Sequence, residues 1–159
     1  MSIVVGENSY ITIIEADDLL EFEFDVTTWE DSTDISKEKA LRLATRRVDS
    51  LFLQGYKYSV DQLLKFPRNI TREDLNDEVG VVPDIVKQAV AIESSYILNN
   101  EDNMIENLKK HGVKSQSIQG TSYSLDQGSM DYNRKKTNDL SKETTMLLKS
   151  YIQTSFSRR

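Results

Sequence analysis

The chain has 159 residues with a formal net charge of -6, of which 29% are charged and 38% hydrophobic, and it contains no cysteine. That length suits one domain, and the low apolar share indicates a small core under a large surface. The acidic balance argues against a general binder of duplex DNA, and the absence of cysteine excludes disulfides, thiolate nucleophiles and cysteine-bound zinc. The first residues lack the pattern of a secretory signal and no apolar stretch approaches about 20 residues, so we expect no membrane span.

The first predicted helix covers residues 13–24. Thr12 and Glu15 form a capping box, and apolar side chains recur at helical spacing as far as Phe24. A polar loop through Trp29 should follow this helix.

The strongest helical pattern begins after Ser36, which we expect to cap it, and should end at Gly55. Its apolar stripe comprises Ala40, Leu41, Ala44, Val48, Leu51 and Phe52. Three basic residues lie off that stripe: Lys39, Arg42 and Arg46. We predict a solvated face there, on which Arg46 pairs with Asp49 three residues on.

The connection from 56 to 82 has no regular period, and we expect it to wrap the surface. Pro67 favours an extended turn at Phe66. The sequence "YKY" at 56–58 is the best place in the chain for aromatic side chains interleaved with a basic one, the pattern of a surface that stacks nucleobases.

A third helix should start at Pro83 or Asp84 and run through "IVKQAVAIESSYILN". Glu93 falls on its inward stripe. Because a buried carboxylate needs a partner, we expect Glu93 to be either a hydrogen-bonded polar group within the helix packing or one half of an ion pair with an arginine such as Arg47.

Residues 113–126 predict a β-hairpin around Gly120. Its sizeable apolar side chains are Val113, Ile118, Tyr123 and Leu125. These do not keep to one parity, so neither face would be fully apolar, whereas a core strand needs one apolar face. An isolated two-stranded hairpin is marginal in water, so its partner should lie outside this chain's own core.

The C-terminal part begins with residues 127–139, which have no period and are read as a mobile arm. Ser141 should cap a last helix, and the basic ending "SFSRR" follows. The predicted organisation is therefore a helical bundle core at 1–112, a hairpin at 113–126, and a segment at 127–159 with the arm, the last helix and the basic tail.

Catalytic constellations are missing from the sequence. The only histidine, His111, precedes Gly112 at a predicted helix end, where a histidine commonly serves stability. Without cysteine or a second histidine, a nucleophile-base pair or a transition-metal cluster would need unusual ligands, and no phosphate-binding glycine motif is present. We expect no enzyme, no cofactor and no metal.

Five segments in a particular order carry a resemblance: "SYITIIEADDLL" at 9–20, "SKEKALRLATRRVDSL" at 36–51, "DQLLKFPR" at 61–68, "VPDIVKQAVAIES" at 82–94 and "GVKSQSIQGTSYSLD" at 112–126. Together they resemble the head-to-tail connector, or adaptor, proteins of tailed double-stranded DNA phages, a family also labelled DnaT-like single-stranded-DNA-binding. The resemblance runs from Ser9 to Asp126 and more loosely to Tyr151. Residues 127–139 depart from it, being longer and more charged.

The resemblance implies a mainly α fold, a small helical bundle with a β-hairpin and an extended C-terminal arm, that forms a ring of twelve copies. Such a ring is a structural virion protein of the neck, at the capsid vertex, assembled in the bacterial cytoplasm. It lies between the portal protein and a stopper or tail-completion protein and extends the channel for genomic DNA, without sequence-specific binding. The family offers no catalytic residue to carry over.

Two sets of contact residues are expected on this basis. Val113, Ile118, Tyr123 and Leu125 would pair with an adjacent subunit or a neck protein by β-augmentation. Phe156, Arg158 and Arg159 would dock on the portal, with the phenyl ring as anchor and the guanidinium groups on acidic partners. The alternative is a module that binds single-stranded DNA, for which "YKY" at 56–58 is the best surface.

Overall fold

The computed structural model describes residues 2–70, 78–100, 115–118, 121–124 and 140–153, the four-residue pieces by their backbone. The helices are α1 (Ile13–Leu20), α2 (Thr27–Glu30), α3 (Asp34–Ser50), α4 (Asp84–Asn99) and α5 (Lys142–Leu147), which continues into a 3₁₀ turn at Leu148–Ser150. The strands are β1 (Tyr56–Lys57), β2 (Arg68–Asn69), β3 (Ser115–Ile118) and β4 (Thr121–Ser124). The predicted mainly α fold with a hairpin is confirmed, and ring formation stays a prediction.

The central element is α4, because α1, α2, α3 and α5 all pack against it. Seven consecutive residues, from Ala89 to Ser95, are buried. A helix that is covered on all sides need not be amphipathic, and its polar members must find partners inside. Pro83 stands at the N-cap, as the sequence predicts for a helix that begins at Asp84.

Helix α1 is shorter than predicted. The capping box is confirmed, with Glu15 N–H donating to Thr12 Oγ1 at 3.1 Å and Thr12 N–H donating to Glu15 Oε2 at 2.8 Å. The helix ends at Leu20 rather than at 24, and Phe24 does not belong to its apolar face, since its side chain is 98% exposed. The chain turns away here through Asp25, which has a φ of 62°.

The segment predicted as a loop through Trp29 contains the short helix α2, and the Trp29 side chain is fully buried. Its indole Nε1 donates to Asp17 Oδ1 at 2.8 Å, and Lys37 Nζ bonds the same oxygen at 3.0 Å. The Lys37 ammonium also lies 5.1 Å from the centroid of the indole ring. These contacts join three helices, and no local pattern in the sequence predicts them.

Helix α3 begins and ends earlier than predicted. Thr33, not Ser36, is the N-cap and accepts the Ser36 N–H at 3.3 Å. The helix ends at Ser50 rather than near Gly55, because Leu51 is already extended and buries its side chain outside the helix. Gly55 serves a different turn, where its φ is 68° and a Cβ would lie 2.1 Å from Asn69 O.

The connection after α3 is anchored in the core rather than only on the surface. Strands β1 and β2 pair in antiparallel fashion, and Phe66, before a cis Phe66–Pro67 bond, is buried. The Phe66 ring packs edge-on against Tyr10 at 5.9 Å and against Tyr151 at 5.5 Å between centroids. This aromatic cluster joins the N-terminal loop to the C-terminal turn.

The predicted last helix is confirmed with its cap. Ser141 Oγ accepts the Thr144 N–H at 3.0 Å, and α5 packs on α4. Beyond it, Tyr151 and Ile152 are buried and Ile152 forms a bridge with Leu53. The described C-terminal residues therefore pack into the core that is formed by residues from the first half of the chain.

Candidate assembly surfaces

Strands β3 and β4 form a sheet of their own. Their antiparallel register pairs Gln116 with Tyr123 and Ile118 with Thr121. Within the described residues this sheet has no third strand, so the outer backbone edge of each strand meets no other strand. An unpaired edge presents a row of N–H and C=O groups to which another chain can add a strand.

The structure brings only part of the predicted contact set together. Ile118 and Tyr123 lie on the two paired strands, whereas Val113 and Leu125 fall outside the described residues. The predicted portal-docking residues Phe156, Arg158 and Arg159 also fall outside them, as do His111 and the arm at 127–139. Both proposed sets remain predictions.

Residues 21–25, with the sequence "EFEFD", form a corner between α1 and α2. Two aromatic side chains of this corner are exposed to solvent. Phe22 is 86% and Phe24 98% exposed. The backbone of the corner is held, since Asp25 O accepts the Asn99 side-chain N–H at 2.8 Å. We call residues 21–25 the acidic-aromatic corner. The alternation of acid and phenylalanine breaks the helical period at this point and is the signal that the prediction of a longer helix overlooked.

A groove of 680 Å³ lies beside the face of α3 that points away from the core. Its lining residues are Glu7, Asn8, Lys39, Arg42, Leu43, Thr45, Arg46, Asp49, Ser50 and Leu64. The three basic residues follow each other at intervals of three and four, which places them on one side of the helix. We call this the α3 groove. Its basic residues were visible in the sequence, but the N-terminal loop and Leu64 that complete it come from distant positions.

The carboxylate of Asp49, which lines this groove, forms hydrogen bonds with neighbouring groups of the same chain. Its Oδ1 accepts a hydrogen bond from the Tyr10 hydroxyl, and its Oδ2 accepts the Lys65 N–H at 3.1 Å. The predicted pair with Arg46 is therefore wrong, because Asp49 bonds these two groups instead. Burial raises the pKa of Asp49, and burial together with the Asp49 carboxylate raises the pKa of Tyr10.

The predicted Glu93–Arg47 ion pair is confirmed. Arg47 Nη1 donates to Glu93 Oε1 at 2.7 Å, and Ser141 N–H donates to Glu93 Oε2 at 2.9 Å. The carboxylate is buried while the Arg47 side chain keeps 17% exposure. Burial raises the pKa of Glu93, against the opposing effect of these two donors. This group joins α3, α4 and the cap of α5, so its role is structural.

The "YKY" strand shows a weaker surface for nucleobases than its sequence indicates. Tyr56 and Tyr58 are exposed, but Lys57 Nζ donates to the carbonyl oxygens of Gln62 at 2.9 Å and Leu63 at 3.3 Å. The α3 groove has the opposite composition, with three basic residues and no aromatic side chain in its lining. Binding of single strands combines both features on one surface.

The described residues offer neither a metal site nor a membrane-spanning helix. No three His, Asp or Glu side chains there converge on a point that could hold a metal ion. No described helix combines the length and the apolar character that crossing a bilayer requires.

A family model described as "Putative DnaT-like ssDNA binding protein" matches residues 2–158. The chain belongs to this family. No curated protein and no solved structure matches this member of the DnaT-like family. The family description names single-stranded DNA, whereas the exposed tyrosines of this DnaT-like chain, Tyr56 and Tyr58, are not among the residues that line the α3 groove.

Proposed function

We propose that this chain is a head-to-tail adaptor of a tailed phage, a virion protein that forms a ring of twelve copies between the portal and a stopper or tail-completion protein. The observation that carries the proposal is the β3–β4 sheet, which pairs with no other strand of the described chain. A two-stranded sheet is marginal alone, and strands from a neighbouring copy or neck protein would complete it.

Two further features support an assembled state. Large apolar side chains are exposed at several places, including the acidic-aromatic corner and the segment after β1 with Val60 and Leu63. Exposed apolar surface marks interaction sites when it is clustered. The net charge of -6 per copy suits a channel through which DNA slides, because like charge discourages retention. The ordered resemblance to connector proteins between 9 and 126 is the remaining support.

The decisive experiment mixes the purified chain with its cognate portal protein, the one found with it in the same virion. Native mass spectrometry and electron microscopy should show twelve copies on one portal, with a continuous central channel. A chain that remains monomeric with the portal, or that is missing from purified virions, would contradict the adaptor function.

The second candidate is a single-stranded-DNA-binding module, and the family description favours it. The α3 groove supplies the basic surface and Tyr56 with Tyr58 the exposed aromatic rings. Fluorescence anisotropy of a labelled oligonucleotide, measured over a range of salt concentrations, tests it. Salt-sensitive binding that Lys39→Glu with Arg46→Glu abolishes would support this candidate, and binding unaffected by both salt and these changes would oppose it.

A further inference from the structure

We propose that the acidic-aromatic corner of one copy docks in the α3 groove of the next copy. The inference rests on the proposed ring, and it names the two faces that meet. The acidic corner carries Glu21, Glu23 and Asp25, and the groove carries Lys39, Arg42 and Arg46. Charge complementarity therefore selects a second copy of this chain as the occupant.

The corner combines exposed aromatic side chains with a fixed backbone, two properties that favour docking. Phe22 and Phe24 extend almost fully into water, which costs free energy in a solitary chain and is recovered when the rings are covered. Asp25 occupies the left-handed region, where a residue other than glycine is uncommon and persists only when its surroundings hold it. The Asn99 side chain holds it here through Asp25 O. The corner is thus preorganised, so docking loses little conformational freedom.

The groove combines apolar surface with positive charge, which suits an aromatic and acidic partner. Leu43 and Leu64 give it apolar surface, and the aliphatic stems of its lysine and arginines add to this. The three basic side chains outnumber the two acidic ones that line the groove, Glu7 and Asp49, so the groove keeps an excess of positive charge. Arginine guanidinium groups also pack favourably on aromatic faces.

The corner and the groove share no residue, since the corner lies between α1 and α2 and the groove lies along α3. The corner contacts α4, through Asn99 and through Gln88, whose side chain donates to Glu23 at 3.4 Å. The groove lies on the face of α3 opposite its buried stripe, whose members Ala40, Ala44 and Val48 have no exposed surface of consequence. A contact between two different faces is heterologous, and it forms a ring when the rotation that relates successive copies closes, as the proposed adaptor requires.

A charge exchange tests the contact. Lys39→Glu with Arg46→Glu should weaken self-association in the presence of the portal by about tenfold or more, because two attractive pairs become repulsive. Glu21→Lys with Glu23→Lys should do the same. Combining all four changes in one chain should restore assembly, since the charges are complementary again. Lys149→Glu, at an exposed lysine away from both faces, is the matched control and should assemble like wild type.

A disulfide trap tests the geometry independently, because the natural chain has no cysteine. Phe24→Cys with Leu43→Cys should give, on oxidation of the assembled complex, a ladder of covalent oligomers on a non-reducing gel. Phe24→Cys with Lys149→Cys should give at most dimers. Circular dichroism and thermal unfolding of each variant confirm that it is folded.

The outcomes separate this inference from the proposed function. A ring that forms on the portal with unchanged affinity after charge reversal, and without the ladder, overturns the contact and leaves the adaptor function standing. A chain that never associates with itself or with the portal overturns both. Charge reversal that abolishes oligonucleotide binding but leaves assembly unchanged also overturns the contact, and assigns the groove to nucleic acid.

Discussion

Glu93 shows how one buried side chain sets the arrangement of three helices. It lies on the fully covered part of α4, where a carboxylate without donors would be strongly unfavourable. Arg47 from α3 and the backbone N–H of Ser141 supply those donors. The group therefore couples the position of α3 to the beginning of α5.

Glu93→Ala should lower the free energy of unfolding by about 3 kcal/mol, because it leaves the Arg47 guanidinium and a buried N–H without an acceptor. Chemical denaturation measures the change. Glu143→Ala, at an exposed carboxylate on α5, is the control and should change stability by less than about 0.5 kcal/mol. Equal effects at both positions would contradict the structural role of Glu93.

Glu93 should also make stability depend on pH. Burial raises its pKa in the folded chain above the ordinary value of 4.5, so the folded state holds this proton more tightly than the unfolded state. The contribution to stability is then fully present below 4.5 and is lost as pH rises through the folded pKa. Glu93→Gln does not titrate, so the difference in unfolding free energy between wild type and this variant should fall across that window. A constant difference would refute the raised pKa.

Tyr10 joins the N-terminal loop to the region of β1 and β2. Its hydroxyl donates to Asp49 and accepts the Phe66 N–H at 3.0 Å. Tyr10→Phe keeps the packing but leaves that N–H without its acceptor, and should cost about 1–3 kcal/mol in chemical denaturation. Tyr58→Phe, at a half-exposed ring, is the control and should be close to neutral. A neutral Tyr10→Phe would show that water replaces the hydroxyl.

At the scale of elements, the described helices pack on each other, while the hairpin strands pair only with each other among the described strands. Helix α4 is buried by four other helices, and α5 is held by its cap and by the aromatic contacts that follow it. The β3–β4 sheet has no third strand among the described residues. Its stability should therefore depend on assembly more than that of any described helix.

Ile118→Pro should prevent ring formation or tail attachment while the monomer keeps its helices, because proline removes a backbone donor from the strand. Far-ultraviolet circular dichroism reports the helices, and light scattering with the portal reports assembly. Ile118→Val retains the donor and the strand propensity and should assemble normally. Unchanged assembly of the proline variant would refute β-augmentation at β3.

At the scale of the whole molecule, charge is distributed so that opposite signs lie on different faces. The acidic-aromatic corner and the α3 groove are complementary, although the chain as a whole is acidic. In the proposed ring, contacts between these faces would be attractive while each copy keeps its net charge of -6. Assembly should consequently weaken as ionic strength rises.

The proposed portal-docking residues belong to this scale because they would contact a different protein. Deleting residues 155–159 should weaken portal binding, since the deletion removes the aromatic anchor at Phe156 and the charges of Arg158 and Arg159. Helical content should be unchanged. Surface plasmon resonance against the isolated portal measures the loss, and Phe156→Ala with both arginines retained separates the ring from the charges. Normal portal binding by the truncated chain would contradict the docking assignment.

Local chemistry in the sequence determined the capped helix starts and one buried ion pair. Thr12 with Glu15 and Ser141 each act within one turn, so their residue types suffice to predict the cap, whereas the cap expected at Ser36 lies at Thr33. Glu93 needed a cationic partner wherever the helix packed, and Arg47 lay near the apolar stripe of the neighbouring helix. The hairpin also follows from its own residues around Gly120.

Only the tertiary structure decided where helices end and which side chains meet across the fold. Helix α1 stops at Leu20 and α3 at Ser50. The apolar side chains that follow are exposed after α1 and buried after α3, and packing rather than the helical period decides which. The Trp29 indole contacts Asp17 from α1 and Lys37 from α3, which belong to other helices. Pairings of this kind depend on distances between elements, and single-chain patterns carry no information about those distances.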